Sequence, residues 1–409
     1  VQLLFLAFAC TTSTGDDTAS ADAPTYHADV AHIMEASCVQ CHSAGQVGPF
    51  NLDTYESVSV VGASVLDSVV ERRMPPFLAD SSECLPFEHD PSLTEAEIET
   101  ISQWVDAGMP EGDPADGPAP WQAEAGLERV DATLEIEEYE ANFASAPDDY
   151  RCFIVDPGIT EDAFVSAYEV APTNTAIAHH MIVYMPLDDA ALADAYALDD
   201  AAPGAGYPCF GDAGVDSSMI APWAPGRQVW SYTEGSGVRV TGGMPLIVQM
   251  HYNQGSDDWV DKTVVNFQLE DTVPGGEIIP FFWVNGSLSI PPGEDAHTET
   301  DTTSIRRYTG YDGDLELLAI GPHMHSIGTS LHASFTDTDD NETCLVDIPR
   351  WDFNWQFAYE YTEPVLLTAS DRITLECVFD SSDRDQVTTW GDGTGDEMCL
   401  ITMFVRTVD

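Results

Sequence analysis

Lysine is almost absent from this chain. Lys262 is the single one, and 13 basic residues in all stand against 71 acidic ones, a net charge of −58 over 409 residues. Polyanions are bound through lysine and arginine, so neither nucleic acid nor an anionic lipid surface is an expected partner. A surface of solvated carboxylates suits a salt-rich medium, where counterions screen the self-repulsion. Long hydrophobic runs are also missing. The start, Val1-Gln-Leu-Leu-Phe-Leu-Ala-Phe-Ala-Cys10, is apolar but too short to span a bilayer.

What is present points to a packed protein. The hydrophobic fraction of 44% is ample for cores, and 409 residues suggest two to four domains. Nine cysteines scattered through strand-rich sequence suggest disulfides and an oxidising compartment. The opening stretch resembles the end of a bacterial lipoprotein signal with Cys10 acylated, although Leu6 sits one place early and a basic start is missing. The alternative is an ordinary signal peptide that leaves Cys10 behind. Residues 11–23 read as a Thr/Ser/Asp/Ala-rich tether. The expected location is the periplasm or cell surface of a Gram-negative bacterium, with the membrane reached only through a lipid anchor.

Residues 24–113 read as helical. Cys38-Val-Gln-Cys41-His42 is the attachment motif of a c-type haem, with the two thiols bonded to the porphyrin and His42 as axial ligand. A redox dithiol or half a zinc site are the other readings, but no βαβ pattern surrounds the motif and no second cysteine pair lies nearby. Met74, in Arg72-Arg-Met-Pro-Pro-Phe77, is the candidate second axial ligand. Pro75 and Pro76 cannot continue a helix and would set it on a loop. Arg72 and Arg73 face either haem propionates or solvent. Thr94-Glu-Ala-Glu97 is a capping box for a helix over 95–107, with Gly108 as its stop. Residues 28–112 resemble small bacterial cytochrome c domains.

Pro110-Glu-Gly-Asp-Pro-Ala-Asp-Gly-Pro-Ala-Pro120 opens a linker, placed at 114–126. Beyond it, short alternating runs punctuated by Gly, Pro, Asn and Asp argue for β-sandwiches. The expected fold is therefore multidomain. A small all-α cytochrome c domain is followed by two antiparallel, jelly-roll-like β-sandwiches at 127–272 and 273–409.

Five of the eleven histidines lie in three strand-like clusters: His179-His180, His251 in Gln249-Met-His-Tyr252, and His323-Met-His325. Met398 follows in Asp396-Glu-Met398. Imidazoles joined by a thioether fit copper cycling between two oxidation states, since sulfur favours the reduced ion. Adjacent residues on a regular strand face opposite ways, so His179 and His180 can share one ion only where the strand ends or twists.

The order His-His, His-Tyr, His-x-His, Met resembles the copper type II, ascorbate-dependent monooxygenases, over roughly residues 127–407. Trp223-Ala-Pro-Gly226 and Asp352-Phe-Asn-Trp-Gln356 add to the likeness, the latter favouring the dopamine-hydroxylase branch. The resemblance implies two copper ions. His179, His180 and His251 would hold the electron-transfer ion. His323, His325 and Met398 would hold the ion that binds dioxygen, and would be the catalytic set. It also implies disulfides Cys152–Cys209 and Cys377–Cys399. Cys84 and Cys344 are either paired or both free. Peptide-amidating members grip a substrate carboxylate with an Arg, an Asn and a Tyr, where this chain has Gly321, Leu400 and Thr402. An acylglycine is thus not the expected substrate.

The expectation is an exported monooxygenase that hydroxylates a C–H bond of a small organic substrate with dioxygen. Its electrons come through the haem from an ascorbate-like reductant or another cytochrome. The alternatives are a haem/copper electron-transfer lipoprotein without oxygenase activity and a copper-binding or sensing lipoprotein.

Overall fold

The structure, a computed structural model, describes residues 23–408 apart from 45, 47, 81, 83, 123–125, 145–147, 226, 227, 234, 255–257 and 392–394. Cys10, and the signal and tether expected over 1–23 save for residue 23, lie outside the described residues. No helix among the described residues is long and apolar enough to cross a membrane.

The chain forms two compact units. The first takes residues up to 44, 48–75 and 92–121. Its helices are Ala31–Ser37, Tyr55–Val70 and Glu95–Asp106, preceded by a π-helical turn at Tyr26–Val30. Thr54 with Ser57, and Thr94 with Glu97, close capping boxes on the two longer helices, satisfying backbone N–H groups that have no partner inside the helix. Each helix buries one stripe: Val58, Gly62, Val65 and Val69 on one, Ile98, Ile101 and Trp104 on the other. These meet Tyr26, Val30 and Met34 in a small core.

The second unit takes residues 45–47, 76–91 and 122 onward. A five-stranded antiparallel sheet runs in the order Tyr207–Pro208, Asp148–Val155, Leu246–Asn253, Ala178–Pro186, Ser217–Trp223. A four-stranded sheet runs His297–Ser304, Arg372–Phe379, Gly328–Thr336, Glu342–Ile348. A nine-stranded sheet lies behind both. One core takes Leu134, Val165 and Phe267 from the large sheet with Met181, Val248 and Met250 from the five-stranded one. The other takes Leu317, Ile401 and Met403 with Leu331, Leu375 and Phe379.

The expected fold class needs correction. Among the described residues strand makes up 38% and helix 17%, the α-helices are five and short, and no sizeable all-α domain forms. One reason is visible within 24–113. Residues 76–91 do not stay with the helices. They form a strap whose Phe77, Leu78, Leu85 and Phe87 pack into the C-terminal β core, against Tyr359 and Tyr361. Asp80 N–H donates to Asp347 O, Glu88 N–H donates to Glu360 O, and the disulfide Cys84–Cys344 fastens the strap. The two cores are also not built on separate sheets. Gly276 and Glu277 pair in parallel with Ser236 and Gly237, so the large sheet is continuous across both.

Candidate metal centres

His251 sits in the middle strand of the five-stranded sheet, opposite Tyr150 on one side and His180 on the other. The register then slips: His251 faces His180, but Tyr252 faces Ala178. His179 is the extra residue of this bulge. A bulge re-aims one side chain without ending the strand. It thereby resolves the facing problem that adjacent histidines pose.

All three ligating nitrogens lie within 4.8 Å of one another. His180 Nδ1 is 3.3 Å from His179 Nδ1 and 3.2 Å from His251 Nδ1. Burial keeps these rings neutral. It lowers the His179 pKa to about 4, His180 well below the usual value, and His251 in the same direction. Three imidazole nitrogens crowded together with no carboxylate among them suit a cation at their centre. The far side of His251 is held too. Its Nε2 lies 3.0 Å from Asp148 Oδ1, which also accepts from Asn253 Nδ2 at 3.0 Å. A carboxylate on the outer nitrogen fixes a ligand's tautomer and raises its basicity. Tyr150 stacks on the His251 ring at 4.0 Å with 6° between planes.

The second cluster is built differently. His323 ends the strand Leu315–His323, and His325 lies in the turn beyond it. His323 Nδ1 is 2.9 Å from Gln356 Oε1, and His325 Nδ1 is 3.3 Å from Asp396 O. Nδ1 of each ring is thus occupied. The His323 pKa is lowered to about 3, by burial first and by neighbouring His325 next.

The backbone at Met398 is tied to the backbone of this cluster through Glu397. The fully buried Glu397 carboxylate accepts the backbone N–H groups of His325, of Ile327 at 3.1 Å and of Met398 at 3.0 Å. One side chain so ties the His-x-His turn to the methionine segment. Burial raises its pKa to about 7 against the pull of those donors. The disulfide Cys377–Cys399 anchors the residue after Met398, and Cys152–Cys209 joins the central sheet to the loop after Tyr207–Pro208.

The two clusters face each other. Phe353 has ring contacts with His179 at 6.0 Å and with His325 at 6.2 Å. Asp148, Gln356, Glu397 and Phe353 have no signal in the sequence that assigns them to a site, apart from the place of Phe353 and Gln356 in the Asp352–Gln356 motif. Gly321 pairs with Thr402 across the sheet and His323 with Leu400, so the positions of the missing carboxylate clamp lie beside the second cluster without charge.

In the first unit Cys38 and Cys41 are free thiols, and His42 N–H donates to Cys38 O at 2.9 Å. Burial raises the Cys38 pKa to about 12 and raises Cys41 as well. His42 Nδ1 is 3.0 Å from Phe50 O, leaving Nε2 for a ligand. Gly48 lies so close that a Cβ there would meet Cys41 O and the His42 ring at 2.6 Å. Ser43 Oγ is buried with no hydrogen-bond partner among the described residues. These features fit a covalently held haem. Met74 is half-buried just after Tyr55–Val70, where its N–H donates to Ser68 O at 3.2 Å.

Comparison with known proteins bears on the second unit. Residues 278–405 match the model of the copper type II ascorbate-dependent monooxygenase C-terminal domain. DBH-like monooxygenase protein 2 of Mus musculus is 24% identical over 64% of this chain and 44% of its own length. DBH-like monooxygenase protein 1 of Gallus gallus is 23% identical over 55% of this chain and 38% of its length. Tyramine beta-hydroxylase of Caenorhabditis briggsae is 23% identical over 56% and 40%. The chain spans about half or less of the length of these curated relatives. The solved structure of allantoicase aligns at a TM-score of 0.18 and 10% identity, over 59% of this chain and 81% of that one, and carries no argument. Residues 278–405 are thus similar to the C-terminal domain of the copper type II ascorbate-dependent monooxygenases, and the chain is similar to DBH-like relatives.

Proposed function

We propose that this protein is a copper monooxygenase of the dopamine β-monooxygenase type, hydroxylating a C–H bond of a small organic substrate. The observation that carries this reading is the pair of unlike histidine clusters facing each other within one unit. The balance is R–H + O2 + 2 e− + 2 H+ giving R–OH + H2O. Bound at the two clusters, copper supplies one-electron transfer at one and dioxygen activation at the other.

The chain's own residues do the rest. His179, His180 and His251 offer three neutral Nδ1 donors, with Asp148 holding His251 in place. His323 and His325 offer Nε2 atoms, aimed by Gln356 and the Asp396 carbonyl, and Met398 adds a thioether. Gly321, Leu400 and Thr402 present no charge beside that cluster, so a neutral or cationic substrate is favoured over a carboxylate. The tyramine acted on by the nematode relative is of that kind.

Cys38, Cys41 and His42 would hold a c-type haem, which supplies one-electron transfer. Three disulfides agree with an exported protein in the periplasm or at the cell surface. Lipid attachment at Cys10 and an ascorbate-like or cytochrome donor complete the proposal.

The test is oxygen uptake by copper-loaded protein with ascorbate and a panel of phenethylamines and acylglycines. Hydroxylated amine formed one-for-one with oxygen consumed supports the reading. Copper reduction and reoxidation with no hydroxylated product from any substrate would favour an electron-transfer protein instead. Haem retained through acid denaturation and organic extraction would establish its covalent attachment.

A further inference from the structure

Residues 351–357 connect the strands Glu342–Ile348 and Tyr359–Leu367, and they belong physically to the second cluster. Trp351 Nε1 donates to His325 O at 3.1 Å, and its backbone N–H donates to Thr329 O at 2.7 Å. Gln356 Oε1 meets His323 Nδ1 at 2.9 Å, while Gln356 Nε2 donates back to Phe353 O at 2.8 Å. The loop is thus pinned at both ends to the backbone or ring of a second-cluster histidine. Phe353 stands between those pins. Its ring lies edge-on to His325, at 84°, and near-parallel to His179, at 25°.

Resting on the copper reading above, we propose that Phe353 is a positioning residue that sets the separation of the two metal clusters. It is not a ligand, since it has no donor atom. Its backbone is fixed to one cluster and its face rests on a ligand of the other. The ring therefore acts as a spacer between sites whose supporting strands lie in different cores. The contact is local: the His179 ring is itself placed by the bulge, and a bulge is held by fewer ladder hydrogen bonds than regular strand. Loss of the Phe353 face should thus loosen His179 more than His251, which sits inside the sheet with Asp148 and Tyr150 on it.

Two measurements test this. In metal-free protein, amide exchange of peptides covering residues 176–182 should accelerate several-fold in Phe353→Ala, with residues 246–253 unchanged. Phe353→Tyr, which keeps the ring, should behave as wild type. In protein carrying Cu(II) at both clusters, pulsed dipolar EPR should give one narrow separation in wild type and in Phe353→Tyr. In Phe353→Ala the separation should be longer and broader with two coppers still bound. Should Phe353→Ala fail to fold, Phe353→Leu, which keeps apolar volume without a planar face, is read in the same way. Exchange at 176–182 and copper separation both unchanged on removing the ring would overturn the proposal. Wild-type protein binding fewer than two coppers would instead count against the copper reading, and the metal-free exchange would still decide the role of Phe353.

Discussion

The two histidine clusters use the same side chain in opposite senses. In the first, three Nδ1 atoms point inward, and the outer nitrogen of His251 rests on a carboxylate. In the second, it is the Nδ1 atoms of His323 and His325 that are taken, by an amide and a carbonyl. The difference follows from the backbone. A bulge in the middle of a sheet holds ring stems close together, so the near nitrogens converge. His323 instead ends its strand and His325 lies beyond it, with no bulge between them. With Met398 as the proposed third ligand, the second set would also gain sulfur, which stabilises a reduced ion, whereas the first is imidazole alone. On the proposed ligand sets, one fold would thereby offer two sites of unlike chemistry to one metal.

Ligand removal should break this comparison most sharply. Since outer-shell changes already cost ~10–100-fold in affinity or activity, Met398→Ala or His323→Ala should lower oxygen-dependent turnover by more than ~100-fold. One copper should remain, bound at the all-histidine cluster. His251→Ala should do the reverse, leaving copper at the methionine site while electron delivery to it stops. Copper content per chain with stopped-flow reoxidation distinguishes the two. Wild-type turnover in Met398→Ala would remove it from the ligand set.

The outer partners come next. Asp148→Ala should weaken copper at the first cluster by ~10–100-fold and leave the second alone. Competitive chelator titration of each site measures this, and equal weakening at both would refute the assignment. Glu397→Ala is expected to act on stability instead. It strands three N–H groups, of which the buried ones cost about 1–3 kcal/mol each. Its thermal midpoint should fall well below that of Glu397→Gln, which keeps an acceptor oxygen.

Acid should act on both clusters alike. Folding lowers the His179 pKa to about 4 and that of His323 to about 3, from an ordinary value of 6.5. The unfolded chain therefore binds protons first as pH drops. The stability is fully present above 6.5 and is lost as pH falls through 6.5 toward 4 and 3. Metal-free protein should lose roughly 2 kcal/mol per such histidine between pH 7 and 5. Urea midpoints that do not move over that range would show the rings to be solvated.

Some of this was readable in the chain and some was not. His-His, His-Tyr, His-x-His and Met are local words that nominate candidate ligands, because ligand chemistry restricts which side chains can serve. The Cys-x-x-Cys-His pattern is equally local, though the haem it suggests stays a proposal, and short alternating runs announced a β-rich chain because the strand period of two is local. Asp148 is a different case. Nothing near it in sequence marks it, and it matters only because Asn253 lies across the ladder from it, with His251 two residues before.

The helical start was over-read for a related reason. Capping boxes and amphipathic stripes do specify the helices Tyr55–Val70 and Glu95–Asp106, but they say nothing about residues 76–91 between them. Phe77, Leu85 and Phe87 are apolar enough to be buried, and which core buries them is a long-range outcome. The pairing of Cys84 with Cys344, across 260 residues, is another. By itself the sequence determined the charge, the candidate ligands, the local elements and the chemistry they allow. Tertiary structure alone decided the bulge that turns His179 beside His180, the strap, the continuous sheet, and the placing of Phe353 between the clusters. These are contacts between residues far apart in the chain, and their energies exist only once the backbone has brought them together.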